Sequence, residues 1–309
     1  MGRKVTVLYW STMEKYEKCP QMFLWGRGWE GIDLGYGVSE PIPPPKQSSM
    51  HHAVMGIVIA KAMEDLYNDE LWRDPANLKE NLEKSIRKEF KFLTHTKYID
   101  WEKAPSEEEM LTVCLEGIRG FLPTMKHHKL LGQYSRSEVN MIAELDGGVK
   151  VGGRADLVII RNQEVGIYDG KNSLSKGKYT SPDQLRWYAM LYRATTGDTP
   201  HKLGFIYYRY PYGMDNEGEI EQGIDFVEFT PHHLDSLEER AKETMMGMHS
   251  KSFDPTPKAK HCQFCDYESI CDARKEQKAI NSEKRKKNFD KKLGIEDSTE
   301  KFVQFKLPK

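Results

Sequence analysis

Short apolar runs broken by polar turns dominate residues 134–171. The run over residues 137–144 ends at Asp146-Gly147-Gly148, a strong hairpin signal. Gly152-Gly153-Arg154-Ala155-Asp156 then leads into Leu157-Val158-Ile159-Ile160. The polar stretch Arg161-Asn162-Gln163-Glu164 turns the chain into Val165-Gly166-Ile167-Tyr168-Asp169-Gly170-Lys171. The pattern predicts a three-stranded antiparallel meander. Further strands are expected over residues 202–210 and 223–230, with a Gly-rich turn between them.

Elsewhere the period lengthens to that of helices. Residues 51–71 carry Val54, Ile57, Val58, Ala62 and Leu66 on a mostly apolar face. Residues 76–93 return Leu78, Leu82, Ile86 and Phe90, and residues 106–123 open on Ser106-Glu107-Glu108-Glu109, a capped start with acids in the first turn. Ser181-Pro182-Asp183-Gln184 reads as a further start: Ser as N-cap, Pro at the first position, Gln in the capping-box position. Leu185, Tyr188, Ala189 and Tyr192 form its stripe. Ser11, with Glu14 three residues on, caps a short helix that Pro20 interrupts, and Thr230-Pro231 opens one to about Met248. Residues 31–50 are a Gly-, Pro- and Ser-rich spacer.

The 309 residues suffice for one large domain or two modest ones. Lys and Arg number 46 against 47 Asp and Glu, so any nucleic-acid site must be a local basic patch rather than a global charge. No run approaches a membrane span, and the N-terminus lacks the apolar core of a secretory signal. A cytoplasmic protein is expected.

Candidate chemistry sits in the meander. Asp169 and Lys171 are two apart and share a face, and Asp156 lies on the strand paired with theirs. Charges inside apolar strands are costly unless paired or bound to metal. A structural Asp–Lys salt bridge and a metal site are both open on these residues alone. Gln184 and Tyr188 are neighbours on one helix face, where a cap and a core aromatic are the plainer readings. Lys176 and Lys178, among small polar residues and Tyr179, suit contacts to phosphates and bases.

The cysteines change the picture. Cys262, Cys265 and Cys271 have the spacing of metal ligands, whereas Cys114 lies in an apolar helical run and reads as buried and inert. Cys19 is the natural fourth ligand, giving a Cys₄ site of the kind that holds a [4Fe–4S] cluster. Zn²⁺ held by three Cys and His261 is the alternative.

Taken in order, Glu138, Gly153-Arg154-Ala155-Asp156, Asp169-Gly170-Lys171 and Gln184-x-x-x-Tyr188 resemble the PD-(D/E)XK nuclease superfamily, in its RecB-like branch. The opening Ser11…Tyr16…Cys19-Pro20…Phe23 and the Cys262–Cys271 box are similar to those of RecB-like nucleases that carry an iron–sulfur cluster, such as the CRISPR-associated exonucleases and the AddB nuclease domain. The resemblance implies an α/β fold with a mixed central sheet flanked by helices. It implies Asp156 and Asp169 as ligands of Mg²⁺ or Mn²⁺, Lys171 as the catalytic lysine, Glu138 as a weaker catalytic candidate, and Gln184 and Tyr188 as DNA contacts. Such a protein is a metal-dependent DNA nuclease, an exonuclease on single strands or free ends. The family's Gly-x-x-x-His is Gly56…Ala60 here, followed by Glu64, so one metal ligand of the family is missing. That departure motivates the alternative of a non-catalytic nucleic-acid-binding or scaffold subunit that keeps the fold. One nuclease domain is expected over residues 1–278, with a helical insertion at about 76–130, a catalytic core at about 134–230 and the cluster segment at 255–272. Residues 279–309 form a charged tail that suits a protein partner.

Overall fold

The computed structural model describes residues 6–29, 49–132, 134–177, 180–210, 213–214, 220–221 and 223–292. Its centre is the expected meander. β2 (Ser135–Leu145), β3 (Val149–Arg161) and β4 (Glu164–Lys171) run antiparallel, with Leu145 opposite Val149 and Arg161 opposite Glu164. Both turns are made by residues in the left-handed region. Gly147 and Gly148 have φ of 87° and 79°, and Asn162 and Gln163 have 51° and 66°. That twist matches the strands they join.

The rest of the sheet is added around this hairpin pair. β1 (Leu8–Tyr9) lies parallel to the start of β3. β4 leads through α6 (Pro182–Thr196) to β5 (Lys202–Tyr207), parallel to β4, and β8 (Ile224–Phe226) closes the far side antiparallel to β5. Among the described residues this is a six-stranded mixed sheet in the order β1-β3-β4-β5-β8, with β2 paired to β3. β6 (Gly213–Met214) and β7 (Ile220–Glu221) form a separate ribbon between β5 and β8.

Helices cover both faces, so the sheet divides two cores. On one face Met141, Val158, Ile167 and Phe205 pack under α6, α7 (Pro231–His249) and α1 (Trp10–Lys18). On the other, Leu157, Ile159, Tyr168 and Tyr208 pack under α3 (His51–Asn68), α4 (Leu78–Thr96) and α5 (Glu107–His127). The helical segment read at about 76–130 is therefore α4 and α5. Ser106 and Glu109 make the reciprocal capping bonds that start α5, and Thr230 with His233 does the same for α7. Cys114 is buried on α5, and burial pushes its thiol up to about 12.

Three local readings are corrected. The first helix starts at Trp10 with Tyr9 as its N-cap, because β1 runs straight into it; Ser11 lies inside the helix and caps nothing. Ser181 stands at the N-cap of α6 but makes no side-chain cap bond. The apolar surface of α6 is not one stripe: Trp187, Met190 and Leu191 are buried as well, Trp187 Nε1 donating to the Gly152 carbonyl at 3.1 Å and Leu191 lying over Gly153 of β3, while α7 packs beside the helix.

Residues 16–23 meet residues 252–256. Pro20 begins α2 (Pro20–Trp29), and Phe23 stacks on Phe253 with centroids 6.4 Å apart. The Tyr16 hydroxyl donates to the Ser252 carbonyl at 2.6 Å, and Thr256 Oγ1 donates to the Lys18 carbonyl at 2.7 Å. The short α8 (Ala259–Cys262) and the long α9 (Asp272–Lys292) follow. α9 is solvated from Lys278 on, whereas Arg274 in its first turn is buried and donates to Glu268 Oε1 at 3.0 Å; residues 293–309 lie outside the described residues. No described helix is long and apolar enough to cross a membrane.

Candidate active site and a four-cysteine cavity

Three carboxylates stand in a row across the meander. Ser137 pairs with Leu157 and Val139 with Ala155, so Glu138 falls opposite Asp156. Leu157 pairs with Tyr168, so Asp156 falls opposite Asp169, where the ladder between β3 and β4 ends. The Gly170 N–H donates instead to Asp156 Oδ2, at 2.8 Å. Glu138 sits at φ 51°, a conformation that costs a non-glycine residue roughly 1 kcal/mol or more and is concentrated at functional sites.

Lys171 Nζ forms an ion pair with Asp169 Oδ2 at 2.5 Å and donates to Gln184 Oε1 at 3.1 Å. The Gln184 amide nitrogen donates to Asp169 Oδ1 at 2.9 Å and lies 3.3 Å from the Tyr188 hydroxyl. Oxygen toward the lysine and nitrogen toward the carboxylate is the amide orientation that satisfies both neighbours. Gln184 is therefore a bridge between Asp169 and Lys171 rather than a cap. Tyr188 is both readings at once, a buried aromatic with its hydroxyl at the site. Phe205 supplies an aromatic face 5.4 Å from the Lys171 ammonium.

The electrostatics are those of crowded acids in a poorly solvated place. Burial, then the Asp169 charge, drives the Asp156 carboxyl upward. Burial also raises Asp169, against the pull of Lys171. Glu138 is raised by burial and by Glu64 of α3, while Arg154 and Lys61 oppose the shift. Arg154 Nε stands 2.5 Å from Glu138 Oε2. Lys61 in turn is held by Glu64 at 3.0 Å and Asp65 at 2.9 Å. Tyr208 backs the row from the other face. Its hydroxyl is buried without a hydrogen-bond partner, and a Cβ at Gly170 would lie 1.6 Å from it. Only glycine fits between the acid and the lysine.

The sequence had singled out Asp156, Asp169, Lys171, Glu138, Gln184 and Tyr188, and these six converge. Lys176 stands apart, 3.8 Å from Asp225 and over the Tyr210 ring at 5.1 Å. Lys178 lies outside the described residues. Tyr208 and the link from Glu138 to Lys61 were not anticipated. Tyr208 reads as an ordinary strand aromatic, and Lys61 reaches the site from a helix more than seventy residues upstream.

The four remaining cysteines also converge. Cys19, Cys262, Cys265 and Cys271 line one cavity of about 560 Å³ between α1, α2 and residues 255–274, together with His261. All four thiols are free and half-buried, and His261 Nδ1 is buried without a partner. Burial is the main cause that raises the Cys262 and Cys265 thiols. Among the described residues, no three His, Cys, Asp or Glu side chains are gathered closely enough to hold a single metal ion.

Residues 10–272 match the family profile described as the PD-(D/E)XK nuclease superfamily. No curated protein matches the sequence. Among solved structures, the chain is similar to that in the crystal structure of SSO0001, with a TM-score of 0.33 and 16% identity over 73% of this chain and 97% of that one.

Proposed function

The chain belongs to the PD-(D/E)XK nuclease superfamily, and from that premise we propose that it is a metal-dependent deoxyribonuclease, acting as an exonuclease on single-stranded DNA or free ends. The observation that carries this reading is the bridge of Gln184 between Asp169 and Lys171, beside Asp156. A salt bridge kept only for stability needs no third side chain to aim both partners.

The donor set suits a hard divalent cation. Asp156 and Asp169 offer oxygen ligands, and both are held above their ordinary carboxylate range by burial, a cost that a bound cation relieves. Mg²⁺ commonly takes one or two carboxylates and completes its shell with water and phosphate, so three clustered acids are not required. When bound, the cation supplies Lewis acidity to a phosphoryl oxygen and makes nearby water a stronger nucleophile. The chain's own residues do the rest. Lys171 stabilises negative charge developing on the phosphate, and Gln184 fixes its ammonium. Gly170 positions Asp156 through its N–H, and Tyr188 closes the wall against solvent.

The four-cysteine cavity would hold a [4Fe–4S] cluster through Cys19, Cys262, Cys265 and Cys271. A cluster so held would clasp residues 14–25 to residues 255–274. His261, at the same cavity, keeps the zinc alternative testable by metal analysis.

A second reading has a specific observation behind it. α3 carries Ala60 where the family places a histidine, and a Cβ at Gly56, one turn before, would meet nothing within 4 Å. A subunit that binds DNA without cutting it fits that loss. Cleavage of end-labelled single- and double-stranded DNA with Mg²⁺ or Mn²⁺ separates the two. The nuclease reading expects product from the wild type and none from Lys171→Ala. Intact binding with no product from the wild type assigns the binding subunit.

A further inference from the structure

A second concave surface lies on the other face of the sheet, at the start of β2 and the end of β3. Its wider half, about 540 Å³, is walled by Trp72, Lys126, Lys129, Tyr134 and Arg161 over apolar Met125, Leu131 and Ile159, and no carboxylate lines it. A neighbouring hollow of about 390 Å³ shares Lys129 and Arg161; its one carboxylate, Glu164, is engaged by Lys202 at 2.9 Å. Lys126, Lys129 and Arg161 are exposed and have no ion-pair partner among the described residues.

We propose that this groove binds single-stranded nucleic acid through its phosphates and unstacked bases, as a second holding point for the strand whose end occupies the active site. The proposal rests on the nuclease reading for the identity of that strand. Three unpaired cations match a polyanion. Tyr134 adds what a polyanion alone does not need, an aromatic face on which a base stacks without regard to sequence, and Trp72 lines the same groove, half-buried and with the Arg73 guanidinium 5.1 Å from its ring centroid. Duplex DNA keeps its bases stacked on one another, so faces recessed in a groove select the single strand. Tyr134 is 56% exposed although its carbonyl is fixed by the Ile160 N–H at 2.9 Å, so a rigid backbone holds an accessible ring.

The placement fits one continuous strand. Among the described residues β2 pairs only with β3, so no further strand lies beyond it, and α3 stands beside its start, with Ser137 Oγ donating to Asn68 Oδ1 at 3.1 Å. Tyr134 and Glu138 are four residues apart on the β2 edge, about 13 Å at strand rise. A strand leaving the carboxylates crosses the β2 edge and reaches the groove within a few nucleotides.

Fluorescence anisotropy of the full chain in EDTA, which blocks hydrolysis without altering the protein's sequence, tests this with labelled oligodeoxythymidine of about 6 and about 20 nucleotides. The combined variant Lys126→Glu, Lys129→Glu, Arg161→Glu is expected to weaken the longer oligonucleotide by about tenfold or more, with a salt slope lower by about 2, and to leave the shorter one unchanged. Trp72→Ala with Tyr134→Ala should weaken the longer one too, and photo-crosslinking of a bromodeoxyuridine 20-mer to the wild type should map to Trp72 or Tyr134. Unchanged affinity for the longer oligonucleotide, or equal loss for both, overturns the proposal. Displacement by polyglutamate as readily as by oligodeoxythymidine also overturns it, in favour of an acidic protein partner. All these readouts are binding, so a wild type that cuts nothing would fail the nuclease reading without deciding this one.

Discussion

Asp156 accepts a hydrogen bond at 2.8 Å from the backbone N–H of Gly170, the single residue between Asp169 and Lys171. The two strands thus exchange ladder pairing for a side-chain bond at the row of carboxylates. One acid is aimed by the backbone of the strand that carries the other acid and the lysine.

Gly170 is consequently intolerant of a side chain. The Cβ of Gly170→Ala would lie 1.6 Å from the Tyr208 hydroxyl and 2.1 Å from Cζ of its ring. Overpacking of this kind costs about 1–3 kcal/mol, and activity should fall further because Asp156 loses its alignment. Adding Tyr208→Ala should restore folding, measured by thermal melting, more than it restores cleavage. A melting temperature unchanged in the single variant would show that the strands separate easily here.

Gln184→Ala should lower the rate of cleavage by about ten- to a hundredfold with little change in binding, because it removes the positioning of Lys171 and Asp169 rather than a ligand. Gln184→Glu keeps an acceptor for Lys171 but places a second carboxylate against Asp169, and should be worse than Ala at high pH. A pH–rate profile for the three proteins checks this. An effect confined to KM would make Gln184 a substrate contact only.

Metal binding should be visible in stability. The Asp156 carboxyl rises on folding to about 8, through burial and the Asp169 charge. A carboxyl raised on folding holds its proton more tightly in the folded state, so stability is lost as pH climbs from the unfolded value near 4 through the raised value. Asp156→Asn should therefore raise the melting temperature of metal-free protein at pH 8, by roughly 2–4 °C for each kcal/mol relieved, and leave it unchanged below pH 4. Mg²⁺ or Mn²⁺ should stabilise the wild type more at pH 8 than at pH 6, and Asp156→Asn not at all. Equal stabilisation of the variant would place the cation elsewhere.

The four-cysteine cavity predicts colour. Protein purified without oxygen should carry iron and sulfide and absorb broadly in the visible, and Cys19→Ser or Cys271→Ser should lose the absorbance and melt lower. Colourless protein with one equivalent of zinc, lost in His261→Ala, would assign the alternative.

How far these features could be read in the sequence depended on the range of the interactions that make them. The meander follows from period-two patterning and turn residues a few positions apart, and Asp169 and Lys171 share a face by spacing alone. The cysteines betray themselves by their intervals. What failed was local reading of residues whose partners are distant. Gln184 looks like a cap until β4 is folded beside it, and Ser11 looks like a cap until β1 runs directly into the helix. The wide burial of α6 depends on β3, where the Gly152 carbonyl accepts from Trp187 and Gly153 leaves room for Leu191, each more than thirty residues on. The groove of Trp72 and Tyr134 joins side chains sixty-two positions apart, with no periodicity to link them.

The clasp of Tyr16 on Ser252 has a consequence for the order of events during synthesis. The acceptor is translated 236 residues after the donor, a delay of about 10–50 s at ordinary ribosomal rates. Throughout that interval Phe23 and Tyr16 lack Phe253, and Cys19 has none of its three companions. The packing of α1 and α2 is thus completed late, and a nascent chain stalled before residue 252 leaves Tyr16, Phe23 and the Cys19 thiol without the partners that cover them.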